Sequence, residues 1–222
     1  MINKPLLFQF LEDLKQNNNR DWFQDNQTRY KIFKENYLAF TTEVLQDLSS
    51  KDTRLQALDP KKCMFRINRD IRFSKDKSPY KTNIGMWFAT NANKNAPGYY
   101  VHLENNNSFL AGGIYCPESE DLKKIRTEIS FFHDDLKSIL NDKKFISAFK
   151  ELDFDEKNTL KTAPKGFEKD HVALELLKHK SYTATKKLTN QEVLNDDFVE
   201  KATQSLFLLK PMNDFFNRAL FD

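Results

Sequence analysis

Apolar residues recur at helical spacing through the first fifty positions, at every second position through the middle of the chain, and at helical spacing again towards the end. Residues 5–17 place Leu6, Leu7, Phe10, Leu11 and Leu14 on one helical face, and Asn17-Asn18-Asn19 breaks that helix. The pattern then predicts a long amphipathic helix from about Arg20 to Leu48. Phe23, Tyr30, Tyr37 and Val44 repeat along it every seven residues, seconded by Phe33 and Phe40. A heptad of this length also suits a coiled coil. The expected arrangement is a long helix lying on a sheet or on another helix.

After Leu58-Asp59-Pro60 the period changes to two. Cys63 to Phe73 reads as one strand and Asn83 to Thr90 as a second. Because the second carries Ile84, Met86 and Phe88 on one face and Trp87 and Ala89 on the other, it is expected to be central. A polar loop follows over 91–98. Tyr99 to Glu104 and Ser108 to Cys116 flank Asn105-Asn106-Asn107 and predict a tight hairpin, with Gly112-Gly113 marking a bulge or a close backbone approach.

Helical spacing returns with Leu122, Ile125, Ile129, Phe132, Leu136 and Ile139, then with Phe145 and Phe149 in a shorter helix over 143–152. Residues 160–167 read as extended. Asp170 is placed to cap a short helix reaching about His179. Ser181 to Leu188 reads as an edge strand. Phe198, Val199, Ala202, Leu206 and Leu209 form a helix that Pro211 interrupts before Phe215, Phe216, Ala219 and Leu220 continue the apolar face. Strands grouped between helices predict an α+β fold with a central, mainly antiparallel sheet of about 4–6 strands packed against flanking helices. With no repeat or low-complexity linker, the expectation is one domain over 1–222: a helical part at 5–50, a sheet at 63–116 and a helical part at 118–222.

Composition narrows the class. Apolar residues are 39% and charged residues 30% of the 222, which suits a globular chain rather than a disordered one. No apolar run is long enough to span a bilayer, so no membrane is expected. The N-terminal residues enter a helical pattern without a signal-peptide core, and Cys63 and Cys116 have no CxxC spacing. A cytoplasmic protein with reduced, buried thiols is therefore expected.

Charge changes the picture more than composition does. The chain carries a net +3, yet Lys61–Lys81 holds eight Lys and Arg against two Asp. Within it, Arg66, Asn68, Asp70 and Arg72 would share one face of a strand, opposite Phe65, Ile67, Ile71 and Phe73. Arg69 falls on the apolar face, so either it meets a partner there or the strand ends near Asn68 and releases it. Arg66 and Arg72 flank Asp70 and keep it ionised, which suits it to orienting arginines better than to giving a proton. Guanidinium forks match phosphate or carboxylate, and Lys75, Lys77 and Lys81 follow in a loop stiffened by Pro79. Two readings are open. Arg66, Arg69, Arg72, Lys77 and Lys81 bind an anion, or the motif is an internal Arg–Asp network.

The run Arg66-x-x-Arg69-Asp70-x-Arg72-Phe73 with Asp76-Lys77-x-x-Tyr80 resembles the signature of the bacterial family known as domain of unknown function 2461. Asn18-Asn19-Arg20-Asp21-Trp22-Phe23, Pro97-Gly98-Tyr99-Tyr100-x-His102-Leu103 and Pro164-Lys165-Gly166-Phe167-x-x-Asp170-His171 resemble further landmarks of that family. The resemblance covers nearly the whole chain and implies a single-domain unit. It brings no established activity with it.

Outside the basic run, His102 alternates with Tyr100 and Glu104 on one strand face and is a candidate base or ligand, although the pattern favours a half-buried histidine hydrogen-bonded to a neighbour. His171, beside Asp170, is a second candidate, with Asp70 completing the catalytic set. His133 and His179 are expected at the surface. Tyr80 and Tyr100 are candidate stacking residues, as core packing also allows. No HxxxH, HxH, GxSxG, P-loop or GxGxxG pattern occurs; no metal ligand is named and the cofactor is unassigned. The partner expected is an anionic small molecule, with nucleic acid as the alternative.

Overall fold

The computed structural model describes residues 2–91 and 95–221, so part of the loop expected over 91–98 lies outside the described residues. In chain order the elements are α1 (Lys4–Gln16), α2 (Arg20–Asp25), α3 (Gln27–Lys51), α4 (Pro60–Cys63), β1 (Ile84–Ala89), β2 (Gly98–Leu103), β3 (Ser108–Ile114), α5 (Ser119–Leu140), α6 (Lys143–Phe149), α7 (Leu174–Leu177), β4 (Tyr182–Leu188), α8 (Asn190–Leu194), α9 (Phe198–Phe207) and α10 (Lys210–Phe221). The fold is α+β. Its sheet is antiparallel with strand order β1-β2-β3-β4.

The described chain forms two compact units. The first holds residues up to Phe88, Tyr100–Leu110 and Lys187–Gln204; the second holds Ala89–Tyr99, Ala111–Lys186 and Ser205 onward. Each strand contributes residues to both units.

In the first unit, α1 is capped by Asn3, whose side chain accepts the Leu6 N–H, and it buries Leu7, Phe10, Leu11 and Leu14. Helix α3 buries Phe33, Tyr37, Phe40, Val44, Leu45 and Leu48. The single long helix expected from Arg20 is interrupted at Asn26. Its backbone leaves the helical region (φ −102°, ψ 18°) while its side chain donates to the Trp22 carbonyl at 2.9 Å. Strand β1 lies at the end of the strand order, not at its centre. Its apolar residues on both faces are explained by a covered edge, where Met64 bridges Met86 and the Phe65 N–H donates to the Gly85 carbonyl at 3.1 Å.

In the second unit, α5 buries Ile125, Ile129 and Leu136, and α10 buries Met212, Phe215, Phe216 and Leu220. Arg218 on α10 reaches Glu128 at 2.5 Å and Asp135 at 3.3 Å on α5. The expected hairpin is β2–β3, turned through Asn106 at φ 59°. The edge strand expected over 181–188 is β4. Gly112-Gly113 is a close backbone approach, as the glycine pair suggested: a Cβ on Gly113 would lie 2.0 Å from the Tyr182 carbonyl oxygen.

Several local expectations fail. Residues 63–73 form no strand. Cys63 ends α4, and beyond the bridges at Met64 and Asn68 the segment is irregular. Period-two alternation marks a strand only where a neighbouring strand takes up the backbone groups, and here the chain doubles back on itself. Asp170 caps nothing: it is exposed, and α7 starts after Ala173, whose N–H donates to the His171 ring at 3.0 Å. Cys63 is buried, whereas Cys116 is exposed at φ 45° in the turn leaving β3. His133 and His179 are half-buried rather than on the surface.

Candidate anion-binding site

The basic segment is a finger. The Lys81 N–H donates to the Ile67 carbonyl at 2.8 Å, Asn68 bridges Tyr80, and the Arg69 N–H donates to the Pro79 carbonyl at 2.9 Å. Two residues from the α1–α2 region hold its base. The Asn18 side chain donates to the Tyr80 carbonyl at 2.9 Å and accepts the Tyr80 N–H at 3.1 Å. Phe23 stacks on the Tyr80 ring with centroids 4.0 Å apart, so this face of Tyr80 is taken up by the protein itself.

Along the finger, two of the three arginines are paired internally. Arg69 donates to Asp76 at 2.5 Å and to the Ser78 carbonyl at 3.0 Å. Asp76 also accepts from the Ser78 N–H and hydroxyl, and these bonds, with Arg69 beside them, hold its carboxyl down to about 2. Arg72 forks onto Asp70 at 3.0 and 2.7 Å, which keeps Asp70 below the usual carboxylate range. Lys77 donates to the Ile71 carbonyl at 3.0 Å. Both ion pairs are solvent-exposed at one partner or both, so they brace the loop more than they stabilise the fold.

Arg66 and Lys81 are different. Neither has a hydrogen bond from its side-chain cation to a carboxylate or carbonyl among the described residues. The Lys81 ammonium lies 5.3 Å from the centroid of the Phe65 ring. Burial, and then the charge of Arg66, push the Lys81 pKa down. Phe65 is 47% exposed and meets Tyr100 edge-on at 6.0 Å. The Tyr100 hydroxyl lies 3.0 Å from His102 Nδ1, and His102 Nε2 lies 3.5 Å from Glu104, which in turn faces the Thr82 hydroxyl at 3.5 Å. The resulting phenol–imidazole–carboxylate chain meets Phe65, the ring next to the Lys81 ammonium, and Phe109 stacks on the imidazole at 4.5 Å. Below Phe65, Tyr37 on α3 accepts the Phe65 N–H at 3.2 Å and donates to the Gly85 carbonyl, fixing the segment to β1.

Burial places His102 below the ordinary imidazole value, outweighing the opposite pull of Glu104, and lifts the Tyr100 phenol to about 12. A neutral imidazole that donates from Nε2 to Glu104 accepts from the Tyr100 hydroxyl at Nδ1, which is the arrangement that passes a proton along. A histidine with a lowered folded pKa binds fewer protons folded than unfolded. Its stabilising contribution is complete above the unfolded value near 6.5 and falls as pH drops through that range. His179 is lowered in the same sense, again by burial. The expected result is a urea midpoint that falls between pH 7.5 and 5.5, and falls less in His102→Gln. Equal losses in both proteins would remove His102 from this account.

Of the residues named from the sequence, the first unit holds Arg66, Arg69, Asp70, Arg72, Lys77, Tyr80, Lys81, Tyr100 and His102. His171 belongs to the second unit, where its ring meets His133 edge-on at 6.3 Å. Phe65, Thr82 and Glu104 were not named as site residues. The alternation of Tyr100, His102 and Glu104 along β2 and past its end was the available sign of the last. A cavity of about 470 Å³ lies elsewhere in the first unit, lined by Glu43, Asp47, Asp196, Asp197 and Glu200, whose carboxylates disfavour an anion. Among the described residues no group of three or more His, Cys, Asp or Glu is placed to hold a metal ion.

A family model described as conserved hypothetical protein (DUF2461) matches residues 6–215 of the 222. The chain belongs to that family. The match takes in the finger, β2 and both units, so the basic segment and the Tyr100–His102–Glu104 run are part of the family's domain rather than an appendage. Comparison with curated proteins and with solved structures gives no match. Among the described residues, no helix is long and apolar enough to cross a membrane.

Proposed function

We propose that this protein binds a phosphorylated or carboxylated ligand through Arg66 and Lys81. The observation that supports the reading is that neither cation hydrogen-bonds a carboxylate or carbonyl among the described residues, while the charge of Arg66 is felt at Lys81 and the Lys81 ammonium lies 5.3 Å from the centroid of the Phe65 ring. Holding like charges together costs free energy that a bound anion returns. Phe65 gives the ligand an apolar wall. Tyr100 and His102 offer a proton donor and acceptor next to it, so the site is equipped for acid–base chemistry on what it binds. Arg69, Arg72 and Lys77 shape the finger, and Asp70 orients Arg72.

A thermal-shift screen with pyrophosphate, sugar phosphates, nucleotides and dicarboxylates is expected to raise the melting temperature for at least one class. Calorimetry on that ligand should then show Arg66→Ala weakening it by roughly 10- to 150-fold, since a hydrogen bond to a charged group contributes about 1.5–3 kcal/mol. Without ligand, Lys81→Met should leave stability unchanged or raise it, because it removes a partly buried charge next to Arg66. No response to any anion, together with a destabilised Lys81→Met, would overturn the reading.

A further inference from the structure

At the tip of the finger Phe73 is 96% exposed, as its neighbours Ile71 and Ser74 are not. An isolated exposed aromatic is ordinary on a loose loop, but this loop is braced. Arg69 ties Asp76 and Ser78, Lys77 ties Ile71, and the Ser74 N–H closes on the Ile71 carbonyl at 3.3 Å. The internal network therefore does what a core would otherwise do: it fixes a short irregular segment with a phenyl ring facing water.

The ring does not stand alone. The Arg72 guanidinium lies 5.9 Å from the Phe73 centroid, as Lys81 lies 5.3 Å from that of Phe65 at the base. Two exposed aromatics, each with its own cation, thus occur on one finger, with exposed Arg66 and Lys75 between and beside them. Phe73 lies eight positions after Phe65, a span of at most roughly 28 Å along the chain. A mononucleotide occupies one aromatic–cation pair. A polymer that alternates flat bases with phosphates, and whose bases are unpaired, can occupy both.

We infer that the ligand of this site is single-stranded nucleic acid, with the phosphate backbone on Arg66, Lys81, Arg72 and Lys75 and bases stacked on Phe65 and Phe73. This deepens the anion-binding reading above and rests on it. A duplex buries its base faces and leaves Phe73 without a partner. An anionic lipid surface is the competing occupant, but the tip offers it one apolar side chain among polar and charged neighbours, too little to anchor in acyl chains without a second insertion element.

The test uses the whole chain and fluorescein-labelled dT16 and U16 in an anisotropy titration, with dT4, the same dT16 annealed to dA16, pyrophosphate, and vesicles of phosphatidylcholine and phosphatidylserine as comparisons. The 16-mers should bind more tightly than dT4 and than the duplex, with a log–log salt slope of about −2.8 for four phosphate contacts. Phe73→Ala, which removes a solvent-exposed ring and should leave the melting temperature unchanged, is expected to weaken the 16-mers about five- to 150-fold while leaving pyrophosphate binding as it was. Arg66→Ala should weaken both. If pyrophosphate binds through Arg66 but the 16-mer binds no better than dT4 and ignores Phe73→Ala, the polymer inference is overturned and the anion site stands. If neither binds, both fall. Vesicle binding that depends on Phe73, with no binding of the 16-mers, overturns it in favour of the lipid surface.

Discussion

Gly113→Ala is expected to destabilise the protein by roughly 2–6 kcal/mol, combining backbone strain and overpacking. Gly113 has φ 113°, a conformation that side chains resist, and the added Cβ would stand 2.0 Å from the Tyr182 carbonyl oxygen and 3.0 Å from the Met212 side chain. The first obstacle is backbone in the neighbouring strand β4, so relief requires moving a strand and its ladder rather than rotating a side chain. Gly166→Ala supplies the control. It has φ 91° but nothing within 4 Å of the new Cβ, so it carries strain without the clash and should cost about 1–3 kcal/mol. Urea midpoints at equal m value give the comparison. If Gly113→Ala is no worse than Gly166→Ala, the strand contact is not as close as described.

Phe33→Ala should cost about 3–5 kcal/mol. The side chain is 1% exposed and joins the aromatic cluster of the first unit, with centroids 4.6 Å from Phe10, 6.1 Å from Tyr30 and 6.2 Å from Tyr37. That cluster continues through Tyr30 and Phe23 to Tyr80 at the base of the finger. The cavity should therefore also loosen the finger, which limited trypsin digestion can read as faster cleavage after Arg72 and Lys75. Phe33→Leu keeps most of the volume and should recover most of both effects. Loss of stability with unchanged cleavage of the finger would show that Asn18 alone secures Tyr80.

The periodicity that predicted α1 and α10 succeeded because those helices bury one stripe of the residues that repeat in the chain. In α5 it held for Ile125, Ile129 and Leu136, but Phe132, expected on the same stripe, leaves the helical region (φ −123°, ψ 34°) and is 46% exposed. The hairpin, β4 and the close approach at Gly113 were legible for a similar reason: turn residues, alternation and paired glycines act locally. Asn26 was the missed signal within the α2–α3 stretch, since a side-chain amide that bonds the preceding turn competes with helix continuation.

The basic segment shows the opposite case. Its alternation from Phe65 to Phe73 has the form of a strand, yet Ile67 is buried and Phe73 is in water, because no neighbouring strand extends alongside it. The sequence by itself determined the fold class, the concentration of positive charge in one segment and the local Asp70–Arg72 proximity, all properties of residue type and near spacing. Only the tertiary structure decided which cations are satisfied. Arg69 found Asp76 because the chain turns back, whereas Lys81 came to lie over Phe65, which meets Tyr100, and neither Lys81 nor Arg66 hydrogen-bonds a carboxylate among the described residues. Charge is written in the chain, but the partner of a charge is set by distance in space, and folding alone fixes that distance.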